Sequence, residues 1–155
     1  MVTIVGMILI CSLVAYEFTF YDFPLKGVLH GAILASMMFP LVLYVIPLYR
    51  FVVTIGLADT LLGVAAPLVV SPLSVFILMQ FLEDLPISFI ESARIDGAGH
   101  FRIYGSIVLP LLRNGLITAT VLMFLNVWGA YLWPSLATGA AIQPMSVTIA
   151  NMLSP

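Results

Sequence analysis

Residues 83–113 carry most of the charged side chains through which this chain could act on another molecule. Five of its twelve charged residues lie between Glu83 and Asp96, and Arg102 and Arg113 follow. Long uncharged apolar segments flank this stretch on both sides. Carboxylates and guanidinium groups in a polar, glycine-containing island suit ion pairing with a second protein. We therefore expect this stretch to meet a soluble partner.

Metal and catalytic chemistry have little support in the residue pattern. Cys11 is the only cysteine, and neither His30 nor His100 has a second Cys or His at metal-ligand spacing. We interpret both histidines as residues at helix ends or membrane interfaces. The two middle apolar segments contain no Asp, Glu, Lys or Arg. An intramembrane enzyme or an ion-coupled carrier normally needs such groups within the membrane, so both classes are disfavoured.

The composition is that of an integral membrane protein. The 155 residues are 63% hydrophobic and 8% charged, with a mean hydropathy of +1.20. A soluble domain usually has about 25% charged residues, and a chain with so few cannot cover a water-facing surface. The net charge of −2, without any basic cluster, gives no indication of nucleic-acid binding. The partners to expect are the lipid membrane and other proteins.

Uncharged runs predict where the chain crosses the membrane, since about 20 helical residues span a hydrocarbon core of roughly 30 Å. We predict an all-α, polytopic protein that forms a single domain, with spans at about 1–20, 27–49, 60–82 and 111–134. The first run lacks a positively charged start and a small-residue cleavage site, so we interpret it as a span and not a signal peptide. After residue 134 we expect a loop or short re-entrant segment, because Trp133-Pro134 and Gly139 interrupt the last run.

The remaining region, 83–110, is predicted to be a cytoplasmic loop. If it faces the same side as 17–26, that side has four of the five basic residues and the other side only Arg50. Prolines interrupt both middle spans, which is typical either of packing kinks or of broken helices that line a pathway.

Two short helices are expected within this loop. Ser88 and Glu91 have capping-box spacing for the first helix, and Gly97 is suited to end it. Phe101, Tyr104 and Ile107 follow in i, i+3 register on the second. A compact structure with exposed Phe101 and Tyr104 suggests docking into a groove.

The loop resembles the EAA loop of binding-protein-dependent ABC importer permeases. That family pattern is Glu-Ala-Ala, three residues, Gly, nine residues, Ile, one residue and Leu-Pro. Here it falls on Glu91, Ser92, Ala93, Gly97, Ile107, Leu109 and Pro110. Ser92, a small residue in place of alanine, is the single departure.

Other segments are similar to the carbohydrate-importer branch of that family. They are Asp96-Gly97-Ala98, the stretch from Ile46 to Gly63, and Tyr131-Leu132-Trp133-Pro134. The resemblance covers about Leu13 to Val147. Because the family usually has a further helix at each end, we expect a fragment or a truncated subunit.

The resemblance implies the core of a type I importer permease, multi-pass in the inner or plasma membrane of a bacterium or archaeon. The expected partners are cytoplasmic ATPase subunits, a second permease and an extracytoplasmic solute-binding protein. The permease is not expected to be an enzyme or to bind a cofactor, because ATP belongs to the ATPase subunits. Consistent with this, no Gly-x-x-x-x-Gly-Lys-Ser/Thr motif is present, and Lys26 lies outside any glycine-rich loop.

The resemblance also implies roles for the loop residues. Glu91 would contact a basic group on the ATPase, and Gly97 would allow the turn between the two helices. Phe101 and Tyr104 would pack into the ATPase groove. Arg94 and Arg102 would form ion pairs at the rim of that groove. Leu109 and Pro110 would transmit motion into the next span. The remaining residues of the predicted docking loop are Ser92, Ala93, Asp96, Ala98 and Ile107.

Asn126, Ala130 and Trp133 are spaced to share one helical face and could line a solute pathway, with Trp133 stacking on a sugar. Asn126 could equally bridge helices, and Trp133 could anchor an interface. The function favoured overall is a sugar or oligosaccharide permease subunit. The alternatives are a permease for another small solute, a non-transporting assembly protein and an inactive remnant.

Overall fold

The computed structural model describes residues 2–138, 148–149 and 152. Within them the chain forms ten α-helices, which confirms the all-α prediction: α1 Val2–Phe20, α2 Lys26–Ser36, α3 Leu41–Thr54, α4 Leu61–Val69, α5 Pro72–Glu83, α6 Ser88–Ile95, α7 His100–Ile103, α8 Leu109–Leu111, α9 Arg113–Gly129 and α10 Leu132–Ala137. A π-helical segment, Tyr104–Val108, joins α7 to α8. The predicted break at Gly139 lies outside the described residues.

Among the described helices, α1 alone is long and apolar enough to cross a membrane by itself, and it lies within residues 1–20, where the first span is predicted. Three further candidates are pairs of consecutive helices with a bend at a short break. The bends are 104° between α2 and α3, 42° between α4 and α5, and 74° between the π-containing segment and α9. The second predicted span, 27–49, is therefore two helices with a sharp angle between them.

Proline accounts for the breaks in both middle spans. Pro40 is extended, with ψ 140, and it precedes the first residue of α3. Pro72 begins α5, where a missing amide proton costs no helical hydrogen bond. Ser71 caps that helix, because its hydroxyl accepts a hydrogen bond of 3.2 Å from the Ser74 amide. Pro47, by contrast, lies inside α3 and does not end it.

The last predicted span, 111–134, divides earlier than the sequence indicated. Helix α9 ends at Gly129 and Ala130 is extended, with ψ 118. Pro134, expected to be the breaker, lies in the first turn of α10, where its ring is tolerated.

Helix α1 lies at the centre of the larger core. Its buried face packs against α5, α4 and α9 and against the π-helical segment, so that it is surrounded by apolar side chains. Buried members of this core include Met7, Cys11, Ala15, Leu78, Leu82, Ile90, Ile103, Val108, Leu112 and Ala119. The core thus joins the membrane-type helices to the loop that follows α5.

A second, smaller core joins α3, α4 and α10. It contains Val45, Val52, Val64, Trp133 and Ala137. The Trp133 side chain is fully buried, and its indole Nε1 donates a 3.1 Å hydrogen bond to the Val64 carbonyl. This bond satisfies the one polar atom of the indole ring, so Trp133 holds α10 against α4.

The outer faces of α2 and α3, and the break between them, leave many large apolar side chains exposed, including Val28, Met38, Leu43, Ile46 and Phe51. A surface this apolar is stable only against lipid or another protein. The exposure agrees with the composition and with a place in a membrane.

Candidate docking site

Helices α6 and α7, with the π-helical segment, form the predicted two-helix loop. Their inner face is apolar: Ile90, Ala93, Ile103 and Val108 are buried against the larger core. The loop is therefore a packed structure and not a loose connection. Its orientation is set by the burial of these four side chains.

The first loop helix begins without the capping box that the sequence predicts. Ser88 is the first residue of α6 and not its cap. The capping position is the preceding residue, Ile87, whose side chain makes no capping hydrogen bond. Ile87 is itself helical, with φ −58, so its own carbonyl and that of Pro86 accept the first amide protons of the helix. The capping role for Glu91 is therefore wrong. Its carboxylate is exposed in the first turn, where a negative charge suits the helix dipole.

The turn between the loop helices depends on Gly97, as predicted. Its φ of +78 is left-handed, a conformation that glycine adopts without strain. The Ala98 amide donates to the Ala93 carbonyl at 2.9 Å, and the Gly97 amide donates to the Arg94 carbonyl at 3.0 Å. These two bonds make a Schellman motif, which closes α6 and turns the chain toward α7.

Exposed groups on the loop form the candidate docking surface. Phe101 is 82% exposed and Ile95 is 86% exposed, although both are apolar. Glu91 and Arg102 are also exposed. Large apolar side chains next to charges, on a scaffold held by a buried face, are typical of a surface that another protein covers.

Tyr104 does not belong to that surface, contrary to the sequence prediction. Its ring lies 5.4 Å from the Tyr16 ring, and its hydroxyl is 2.7 Å from Ser12 Oγ, both on α1. Because the π-helical segment begins at Tyr104, the α-helical i, i+3 spacing no longer keeps Phe101, Tyr104 and Ile107 on one face. Ile107 is likewise half-buried and packs on the larger core.

Tyr21, just beyond the end of α1, contacts both loop helices. The Arg94 guanidinium carbon lies 4.9 Å from the centre of its ring, and the His100 ring stacks on it at 4.8 Å. The Tyr21 side chain also raises the pKa of the Arg94 guanidinium, which stays a cation. Arg94 therefore has an internal partner as well as the exposure expected of a rim residue.

Leu109 and Pro110 form the start of α8, which continues the π-helical segment toward α9. Pro110 is in the first turn of α8, where its ring is tolerated. Leu112 is fully buried where α8 meets α9 at the 74° bend. The join between the loop and the next long helix is thus packed.

The three candidate solute-pathway residues are not brought together. Asn126 is exposed on α9, Ala130 lies in the break after it, and Trp133 is buried in the second core. The prediction that they share one helical face is wrong, because α9 ends before Ala130. Trp133 has no free face on which a sugar could stack in this conformation.

Asn126 does line a cleft of 380 Å³ between the two helix breaks. Hydroxyl groups from both breaks and from α3 lie on the same cleft: Ser36, Ser71 and Tyr44. The other described lining residues are apolar, and none of the described ones is charged. Such a cleft presents neutral hydrogen-bonding groups among apolar walls.

Comparison with known proteins decides the family. A model of the family described as "Binding-protein-dependent transport system inner membrane component" matches residues 7–154. The chain belongs to this family. As an inner membrane component of this kind it is a membrane protein of a transport system, and the family resemblance is confirmed.

Relatives of this transport-system component include permease proteins of known systems. The "sn-glycerol-3-phosphate transport system permease protein UgpE" of Rhizobium meliloti (strain 1021) is 37% identical over 134 residues, which are 86% of this chain and 48% of that protein. The protein of the same name from Yersinia enterocolitica is 34% identical over 151 residues, 97% of this chain and 54% of that protein. The chain therefore spans about half the length of these relatives.

One solved structure has the same fold. It is a chain of a bacterial ABC transporter involved in the import of the acidic polysaccharide alginate, with a TM-score of 0.80 and 24% sequence identity. The match covers 97% of this transport-system component and 51% of that chain.

Several residues of the site were not predicted from the sequence. Tyr16 contacts the loop from α1, Tyr21 contacts it from just beyond the end of α1, and Ile95 is part of its exposed surface. The two tyrosines flank Glu17 at the polar end of the first span, and tyrosine at such a boundary was the available signal. No periodicity connects them to Tyr104, because the contact joins segments that are far apart in the chain.

Proposed function

We propose that this chain is the permease subunit of an ATP-driven, binding-protein-dependent importer. Its loop at 83–110 docks a cytoplasmic ATPase subunit, which binds and hydrolyses ATP, while the chain itself carries out no chemical step. The observation that carries the proposal is the exposed Phe101, with Glu91 and Arg102 also exposed on the same loop, whose inner face is buried in the larger core. A second permease and an extracytoplasmic binding protein complete the importer.

The contacts of Tyr21 support the proposed orientation in the membrane. Because its ring touches Arg94 and His100, the polar segment after α1 and the loop lie at the same end of the molecule. Lys26 and the three arginines of residues 83–113 then share the cytoplasmic side. In this arrangement the membrane spans are α1, the bent pair α2 and α3, the bent pair α4 and α5, and α9.

The proposed solute is a sugar or oligosaccharide. The similar proteins are named for sn-glycerol-3-phosphate and for the acidic polysaccharide alginate, which are both anionic polyhydroxyl compounds. The cleft at Asn126 offers an amide and hydroxyls but, among its described lining residues, no basic group for a phosphate or carboxylate. We therefore propose that these residues contact a neutral, polyhydroxyl part of the solute.

Docking is tested by co-purification of this chain with the ATPase subunit and second permease of its importer from solubilised membranes. Phe101→Ala removes an exposed aromatic anchor, and we expect ATPase retention to fall about thirty-fold, the effect of losing a hot-spot residue worth ~2 kcal/mol. Phe51→Ala is the matched control, because it removes an exposed ring of α3 outside the loop.

A second matched pair tests the charge at the loop. Glu91→Gln keeps the shape of the side chain and removes its charge, whereas Glu17→Gln makes the same change on α1, outside the loop. We expect only Glu91→Gln to weaken ATPase retention. If well-folded wild type retains no ATPase, the permease proposal fails and the assembly or remnant alternative takes its place.

A further inference from the structure

Three tyrosines form a connection between the docking loop and α1 that the family resemblance did not indicate. Tyr16 is at its centre: its ring contacts those of Tyr21 at 5.4 Å and Tyr104 at 5.4 Å. The hydroxyl groups of Tyr16 and Tyr21 are 2.8 Å apart. Tyr16 is almost fully buried, so these contacts are shielded from water.

Tyr104 provides the directional part of the connection. Its hydroxyl group and that of Ser12 share a 2.7 Å hydrogen bond, in which either oxygen can be the donor. Ser12 is fully buried, so losing its partner removes a hydrogen bond where water cannot readily replace it.

Tyr21 provides the second attachment, at the polar end of α1. It contacts α6 through Arg94 and α7 through His100, so it joins both loop helices to one residue. Tyr104 attaches the π-helical segment at Ser12, more than two helical turns away along α1. Two attachments separated along one helix fix both the position and the direction of the loop relative to that helix.

This arrangement suggests a route for movement. Chain continuity already connects the loop to α5 and, through α8, to α9. Helix α1 has no such covalent connection, because Ser12 and Tyr104 are 92 residues apart in sequence. Any displacement of the loop reaches α1 through apolar packing and through the tyrosine contacts, and only the latter are directional.

We propose that Tyr104 and Tyr21 are positioning residues that make α1 move with the docking loop, so that ATPase-driven displacement of the loop is converted into solute movement. This inference rests on the proposed permease function. It separates two roles. Phe101 and Glu91 face the ATPase, whereas Tyr104 and Tyr21 connect the loop to α1.

The experiment uses the complete importer in proteoliposomes and measures solute imported and ATP hydrolysed in the same sample. Tyr104→Phe removes only the hydroxyl group that bonds to Ser12 and leaves the exposed docking groups unchanged. We expect the number of solute molecules imported per ATP to fall about five-fold, the effect of one lost hydrogen bond, with ATPase retention unchanged. A purely structural role would lower the amount of active complex, and import and hydrolysis would then fall together.

Ser12→Ala removes the same bond from the α1 side and provides an answer even if Tyr104→Phe fails to fold. The double variant is expected to be no worse than either single variant, since both delete one interaction. Tyr49→Phe, a phenol lost from α3, is the matched control and leaves import per ATP unchanged. Unchanged import per ATP in Ser12→Ala and in any folded Tyr104→Phe sample would overturn the inference while leaving the permease function intact. Failure of wild type to retain or stimulate the ATPase would instead overturn the permease function.

Discussion

The left-handed conformation of Gly97 permits a quantitative prediction about the docking loop. A Cβ atom added at Gly97 would meet nothing within 4 Å, and the same is true at Gly99 two residues later. The two glycines differ in backbone: φ is +78 at Gly97 but −74 at Gly99. Both Gly97→Ala and Gly99→Ala therefore add a methyl group in open space. Only Gly97→Ala also places a Cβ on a left-handed backbone, so the difference between the two variants measures that strain.

The left-handed conformation costs a residue with a Cβ roughly 1–2 kcal/mol. We expect Gly97→Ala to destabilise the turn by about that amount, whereas Gly99→Ala should be neutral or should stabilise it by about 0.4–1 kcal/mol through the unfolded chain. Gly97→Asn should be intermediate, because asparagine tolerates this conformation better than alanine.

Amide hydrogen exchange over residues 96–99 measures this directly, because the Gly97 and Ala98 amides donate the two hydrogen bonds of the turn. An opening equilibrium shifted by 1–2 kcal/mol makes exchange about 5–30 times faster in Gly97→Ala. ATPase affinity should fall by no more than this factor. Equal exchange rates in the two alanine variants would refute the reasoning. If Gly97→Asn abolished docking while the exchange rate stayed normal, an ATPase surface in direct contact with Gly97 would be the better explanation.

Three further predictions concern the second core and the cleft. Trp133→Phe loses the donor to the Val64 carbonyl and should lower the free energy of unfolding by about 1–2 kcal/mol, as measured by thermal unfolding in detergent; unchanged stability would contradict the assigned role. Gly63→Ala would place a Cβ against the Leu57 carbonyl oxygen and should destabilise the protein by roughly 1–3 kcal/mol in the same assay, because backbone must shift. Asn126→Leu should leave stability unchanged and reduce solute import if the cleft is on the pathway, and normal import would exclude Asn126 from it.

The turn at Gly97 could be predicted because its signal is local. The Gly97 amide bonds to a carbonyl three residues earlier, and the Ala98 amide bonds to a carbonyl five residues earlier. Because both bonds are short in sequence, the spacing of Gly97 from Glu91 indicated where α6 ends. The prediction of a capping box at Ser88 was wrong for a local reason too. The carbonyls of Pro86 and Ile87 already accept the amide protons that the side chain of a capping residue would accept. One-dimensional spacing cannot distinguish a backbone turn from a side-chain cap.

The side of the loop to which Tyr104 belongs could not be predicted from spacing. The i, i+3 pattern assumes an α-helix, and the segment from Tyr104 to Val108 is π-helical. Trp133 was misjudged for a related reason, because α9 ends before Ala130 and α10 starts a new direction. In both cases a change in backbone register, with no distinctive residue to mark it, moved a side chain from the predicted surface into a core.

The π-helical segment fits five residues into a rotation that an α-helix makes with about four. A deletion of one residue between Tyr104 and Val108 that restored ordinary helix would therefore leave Phe101 and α9 at about the same angle to each other. The same deletion would change which side chains of the segment reach α1, because Tyr104 bonds to Ser12 and Val108 is buried in the larger core. In this protein the extra residue of a five-residue segment sets the contacts of the loop with α1, and insertions or deletions there should be tolerated far less well than substitutions at the exposed Gly105 and Ser106.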